Sequence, residues 1–241
     1  MIKQEIRDKF DIPQHAVLFA LIYRAAVELY GRQGAQRADN GTKVYGYQRG
    51  MRMAQRAVKD KQPLNMRNYL LYGEWKDKSG LSKTEVKSLS PVYATNCTHC
   101  GWCQAWQDAG LLEYGKNYCT YVDKSLVKGF NRELSININS VLSQGGDVCR
   151  FEWLGSSFEN PEEAQKFFAQ KPRIESYTIK DFLYHTAHLL NAMFIGIQDK
   201  AGLDKATKIR DKAMADFRQM YGDEMADAVR YESMSTDFSK I

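Results

Sequence analysis

No stretch of this chain stays apolar long enough to cross a bilayer. Its longest runs, Ala16–Tyr23 and Ala192–Ile197, fall well short of the ~20 residues that a spanning helix needs. The first residues, Met1-Ile2-Lys3-Gln4-Glu5-Ile6-Arg7-Asp8, carry charge where a secretory signal would need an apolar core, so the expected location is the cytoplasm. Prolines number only 5, and no segment is rich in Pro or in Gly and Ser, so no linker divides the chain. Lys and Arg exceed Asp and Glu by 34 to 29, a surplus too small and too scattered for a nucleic-acid surface. Arg49, Arg52, Arg56, Lys59 and Lys61 recur at helical spacing and read as a solvated face. Cysteine is scarce and odd in number: 5 thiols, all within residues 97–149, which argues against a secreted disulfide framework and for reduced thiols.

What is present is helical at both ends. Val17, Leu18, Leu21, Ile22, Ala25 and Leu29 follow Pro13 at helical spacing and stop at Gly31. Further helices are expected over about Asn40–Lys59, where Gly46 and Gly50 suggest a close helix–helix approach, and over Asn65–Lys76. In the middle the period changes. Strands are expected near 84–95, where Pro91 suggests an edge, near 132–143, and near 147–154 after the Gly145-Gly146-Asp147 turn. Between them Cys97–Gly110 and Leu112–Phe130 read as helices, the second ended by Gly129. Asn160-Pro161-Glu162-Glu163 opens a helix with a cap, a proline and two acids. Thr178 to about Asp199 forms a long helix, and Leu203 to about Ser233 two more. The expected class is α+β: a single, mostly helical domain over 1–241 with a small antiparallel sheet between helices. N-terminal helices fill 1–80, a cysteine-bearing helix and sheet core 81–156, and C-terminal helices 157–241.

Several groups carry chemistry. Cys97, Cys100 and Cys103 are three apart; on a helix each step rotates by about 300°, which keeps them on one side. In a loop the same spacing resembles part of a ferredoxin run, although Gln104-Ala105-Trp106-Gln107 lacks its fourth cysteine and proline. Zinc or an iron–sulfur cluster on Cys97, Cys100, Cys103 and Cys119 therefore stands as an alternative to plain packing beside Trp102 and Trp106. Cys119 and Asp123 are one helical turn apart. Cys149 alternates with Arg150, which places the thiol on the core side and Arg150 away from it, as a packed residue would stand. Asp181, His185 and His188 can share a helical face, an arrangement suited to a general base or a metal ligand.

Taken in order, Thr95-x-x-x-x-Cys100, Tyr118-Cys119-x-x-x-Asp123, Gly129-Phe130-Asn131 and Gly146-Asp147-x-Cys149-x-Phe151 resemble the L-2-amino-thiazoline-4-carboxylic acid hydrolase family. Tyr45-Gly46-x-x-Arg49-Gly50-x-Arg52-Met53-Ala54, Tyr184-His185-x-Ala187-His188 and Phe217-x-x-Met220-Tyr221-Gly222 extend the likeness over most of the chain. The resemblance implies a bacterial enzyme that opens the ring of a small cyclic amidine or amide, at a non-peptide carbon–nitrogen bond. It implies Cys100, Cys119, Asp123, Cys149 and His185 as catalytic candidates. Substrate contacts are expected from Arg49, Arg52, Trp102, Tyr184 and His188, the arginines answering a substrate carboxylate. Neither a cofactor, a nucleic acid nor a membrane is expected as a partner, and self-association stays open. The Gly-Asp-x-Cys-x-Phe ending also resembles 4-vinyl reductase type ligand-binding domains, which gives the competing expectation of a sensor without chemistry.

Overall fold

A computed structural model describes residues 2–241. In chain order the elements are α1 (Gln4–Asp8), α2 (Ile12–Lys59), α3 (Met66–Leu71), β1 (Lys83–Ser88), β2 (Tyr93–His99), α4 (Gly101–Asp108), α5 (Leu112–Phe130) and β3 (Ile136–Ser140). A short 3-10 turn (Leu142–Gln144) leads to β4 (Cys149–Trp153), followed by α6 (Pro161–Phe168), α7 (Lys171–Thr178), α8 (Phe182–Ala201), α9 (Leu203–Tyr221) and α10 (Asp223–Ser235). The α+β class read from the sequence is the class observed: helices with one small antiparallel sheet. No helix is long and apolar enough to cross a membrane among the described residues. Packing gathers the chain into two compact units, each made of separated segments. Unit one holds the residues up to Tyr45, Gly101–Val122 and Asp181–Phe238; unit two holds Gly46–Cys100, Asp123–Lys180 and Ser239–Ile241.

In unit one, α8 is buried along most of its length because Leu183, Ala187, Leu190, Met193 and Ile197 recur at helical spacing and leave little polar surface. Its start is fixed by Asp181, whose carboxylate accepts the Tyr184 N–H at 2.8 Å, a few residues later than the sequence suggested. The expected pair of helices beyond it is present as α9 and α10, divided at Gly222 with φ 87°. The expected stop at Gly31 is only a one-residue break: φ 56° and ψ −139° there interrupt α2, which resumes at once.

Unit two is built on the sheet, with strand order β1-β2-β4-β3 and every pair antiparallel. Two sequence expectations are corrected here. The single strand near 84–95 is two strands, with Pro91 in the connection between β1 and β2. A proline removes a ladder donor, so it fits a turn better than a strand. Cys97 is also in β2, and the following helix begins only at Gly101. The face shared by Cys97, Cys100 and Cys103 on one helix therefore does not exist. The helix over 65–76 is the shorter α3, capped by Asn65, whose side chain accepts the Asn68 N–H.

Glycines set the crossing of α2 with α5 within this unit. A β-carbon on Gly50 would stand 2.0 Å from the Leu126 carbonyl oxygen, and one on Gly129 would stand 2.1 Å from that of Tyr47. α5 runs over Leu112–Phe130 as expected and stops one residue past Gly129, which also lets a second backbone approach. The expected result for Gly50→Val is a loss of roughly 3 kcal/mol or more, since the overlap is with backbone and cannot be relieved by a rotamer change. Urea unfolding followed by circular dichroism measures it.

Candidate active site

The ladder between β2 and β4 pairs Tyr93 with Trp153 at one end and Cys97 with Cys149 at the other. Directly opposed residues point to the same face, so two thiols meet at the end of the two inner strands. Cys100 follows at the start of the turn into α4, and its sulfur interacts with that of Cys97. Arg150, next along β4, is exposed and reaches Asn96 on the other face, as alternation required.

Cys149 is buried, with 6% of its surface exposed. Its sulfur accepts the Leu142 N–H at 3.3 Å from the 3-10 turn. Hydrogen bonding from Cys97, followed by this N–H, holds the Cys149 thiol below its ordinary range against the opposing effect of burial. Cys97 is pushed the other way, upward, by its hydrogen bonds with Cys100 and Cys149 and by burial. It keeps its proton, which it donates to the His99 carbonyl oxygen at 2.9 Å, and it also interacts with the Cys149 sulfur. The pattern reading of Cys149 as a plain packed residue misses this: the thiol is packed and is also an acceptor for two donors.

Asp123 in α5 supplies negative charge to the same surroundings, enough to raise Cys149 slightly. Loss of hydration pushes the Asp123 carboxyl up to about 6, and Arg49 pulls in the opposite direction. Tyr69 from α3 is buried and held well above its ordinary range, first by desolvation and then by the Asp123 charge, so its phenol stays protonated. The result is a thiolate-prone cysteine, a carboxyl titrating near neutrality and a neutral phenol in one unit. Such offset titrations are the usual equipment of acid–base and nucleophilic chemistry.

Arg49, Arg52 and Arg56 overturn the expectation of a solvated face. All three are buried, while Lys59 and Lys61 are exposed. They converge on one carboxylate, Glu74, which is itself fully buried. Arg52 binds it with a fork, Nε to Oε1 at 2.9 Å and Nη2 to Oε2 at 2.8 Å. Arg56 adds Nη1 to Oε1 at 2.6 Å, and Arg49 stands further off at 3.6 Å. A guanidinium whose fork is closed on a carboxylate cannot offer the same fork to a substrate, so Arg52 is a structural residue. Arg49 is held least closely by Glu74 and is the arginine that acts on Asp123.

The other candidates lie in unit one. Cys103 is buried in α4, and Cys119 is half-buried in α5. Trp102 donates its indole N–H to His15 Nδ1 at 3.1 Å, and His15 Nε2 pairs with the Tyr45 hydroxyl at 2.9 Å. An indole N–H only donates, so His15 Nδ1 accepts and its proton sits on Nε2. His188 is fully buried, with ring centroids 4.9 Å from Phe238 and 4.8 Å from Tyr45. His185 is buried next to Phe182 and Tyr184, and Tyr184 packs on Phe238. Asp181 does not orient His185: its carboxylate caps α8 and takes Arg7 Nη1 at 2.9 Å. Among the described residues no three His, Cys, Asp or Glu side chains stand where they could hold a metal ion.

Glu74, Tyr69 and His15 are residues that sequence reasoning passed over, and Tyr45 entered it only as part of a family-like motif. Glu74 had a signal, since it is a lone acid in the aromatic stretch Tyr69-Leu70-Leu71-Tyr72-Gly73-Glu74-Trp75. A carboxylate placed there has to find buried cations.

The segment that carries the thiols and Asp123 is the one by which this chain is related to known proteins, and the relation is to a family of hydrolases. Residues 12–153, more than half of the 241, match the model of the L-2-amino-thiazoline-4-carboxylic acid hydrolase family, and the chain belongs to it. The match runs from the first residue of α2 to the last of β4; it includes Arg49, Cys97, Cys100, Cys119, Asp123 and Cys149, and His185 lies beyond it. No curated protein and no solved structure matches the chain.

Proposed function

We propose that the protein hydrolyses a small cyclic amidine of the 2-amino-thiazoline carboxylate type, with Cys149 as nucleophile and Asp123 as base. The observation that carries this reading is the Cys149 sulfur, which receives two hydrogen bonds inside the family-matched segment and titrates below an ordinary thiol. The electrophile is the ring carbon between sulfur and nitrogen. The Cys149 thiolate adds to it, and the tetrahedral adduct then expels one ring atom. Sulfur leaves more readily than the ring nitrogen expected from the sequence, because a thiolate is stable near its pKa of ~8.5 whereas an amide anion is not. The substrate carbon is then held on Cys149 as an isothiouronium. Water attacks it while the Asp123 carboxylate takes the proton, and the Cys149 thiolate departs. The products are a ureido group and a free thiol.

Arg49 supplies positive charge beside Asp123 and suits the substrate carboxylate. Cys100 supports Cys97 as the neighbour that keeps its proton in place. Cys119, His185 and the aromatic group of Trp102, Tyr184 and His188 are assigned no chemical step in this reading.

The test is to incubate the protein with 2-amino-thiazoline-4-carboxylate and follow release of a new small-molecule thiol by mass spectrometry. A ligand-dependent rise in melting temperature without any product would favour the binding-module reading instead. The reaction's pH dependence is a second prediction. A base must be ionised, so turnover rises as pH passes upward through about 6 and is lost below it. Asp123→Asn removes that limb and lowers the rate by roughly 10²–10⁴-fold. A wild-type profile flat from pH 5 to 8 would remove Asp123 from the mechanism.

A further inference from the structure

The Cys97–Cys149 pair has a property that ring opening does not use. As directly opposed residues on antiparallel strands, the two lie with their Cα atoms roughly 4.5–5.5 Å apart. A disulfide needs about 4.4–6.8 Å, so a bond between them asks for no movement of the strands. Both thiols are free, point to the same face and are hydrogen-bonded to each other. Cys149 has 6% of its surface exposed, and Cys97 is half-buried, so Cys97 is the one of the two more open to a reducing thiol.

We infer that Cys149 and Cys97 form a hydroperoxide-reactive dithiol, in which Cys149 is oxidised first and Cys97 resolves it to a cross-strand disulfide that switches the site off. This rests on the reading of Cys149 as the nucleophile only for its effect on turnover; the oxidation chemistry stands apart from it. The Cys149 thiolate attacks one oxygen of the hydroperoxide, the O–O bond breaks, and the leaving alkoxide or hydroxide takes a proton from water. Cys149 is left as a sulfenic acid. The Cys97 sulfur then attacks the sulfenic sulfur, an S–S bond forms, the S–O bond breaks, and the Cys97 proton leaves with the oxygen as water. Two thiols lose two electrons in total, and the hydroperoxide is reduced to an alcohol, or to water for hydrogen peroxide. The geometry fits the order of events: Cys149 attacks as thiolate, and Cys97, directly opposite on β2, passes its proton to the sulfenic oxygen as its sulfur attacks, so that it reacts as thiolate and the departing oxygen leaves as water.

The test uses reduced full-length protein, one equivalent of hydrogen peroxide, alkylation and peptide mapping. The expected result is a Cys97–Cys149 linked peptide pair and a chain mass lower by two hydrogens, both reversed by dithiothreitol, with turnover falling in proportion to the linked fraction. Cys97→Ser, or Cys97→Ala if the serine variant accumulates poorly, leaves Cys149 as a sulfenic acid that dimedone traps. Direct passage of wild-type Cys149 to sulfinic acid, or a link joining Cys97 to Cys100 instead, overturns the inference. The two readings separate cleanly. Ring opening retained in Cys149→Ser, with the wild-type link still forming, removes the catalytic role and leaves the dithiol. No link in a protein that Cys149→Ser inactivates removes the switch alone.

Discussion

Cys149→Ser loses ring opening by roughly 10³-fold or more while keeping its fold. Serine is nearly the same shape, and its oxygen still accepts the Leu142 N–H that cysteine receives at 3.3 Å, so the strand and the 3-10 turn have no reason to change. What disappears is the ionised nucleophile. Hydrogen bonding from Cys97 and from the Leu142 N–H lowers the titration of a thiol, but it cannot ionise an alcohol, whose proton is held many orders of magnitude more tightly. Near-identical far-ultraviolet circular dichroism and melting temperature, together with absent thiol release, constitute the expected outcome. A residual rate within tenfold of wild type would move the nucleophile to Cys100 or Cys119.

Glu74→Gln has the largest expected effect on stability, about 3–5 kcal/mol. The substitution keeps the volume and removes the one charge on which Arg49, Arg52 and Arg56 converge. Their side chains are at most 5% exposed, so water cannot replace it. For a chain of this length the loss lowers the melting temperature by roughly 10 °C, measured by calorimetry. Glu28→Gln is the control. It pairs with Arg24 at 3.8 Å and with Lys212 at 3.1 Å where water reaches its carboxylate, and its loss changes stability by no more than about 1 kcal/mol. Equal shifts in the two variants would mean that the buried cluster is not what holds unit two together.

The arginines also show where the sequence could be read and where it could not. Burial on Glu74 and a solvated helix face both place arginines at helical spacing, so Arg49, Arg52 and Arg56 look alike under either reading. The distinction lies in a partner 22 positions after Arg52 and 18 after Arg56, which no local period reports. The limits of α5, the Asn160 cap and the turn at Gly145 were legible because each depends on its own few residues. The division of 84–95 into two strands was not, since an edge strand and a hairpin with proline in its turn share one composition. The thiols were visible as a cluster, but their roles were not. Which two face each other follows from the register of β2 with β4, and the near-neutral titration of Asp123 follows from lost water, which a sequence does not record.

Asp123 offers a further check on the link between site and stability. In the folded chain its carboxyl titrates at about 6 against 3.8 for a free aspartate, so between these values the native state holds the extra proton. Its contribution to stability therefore falls as pH rises through that window and stays low above it. Asp123→Asn is expected to melt slightly higher than wild type at neutral pH while turning over less.

The route of the chain has a genetic corollary. Each unit is assembled from separated stretches, so that residues near the start, the middle and the end of the polypeptide belong to unit one, with unit two drawn from the intervening lengths. Neither half can be copied out as one uninterrupted coding fragment, fused to another gene or shuffled as a module. A chain cut at residue 100 or at residue 150 loses part of both, whichever fragment is kept.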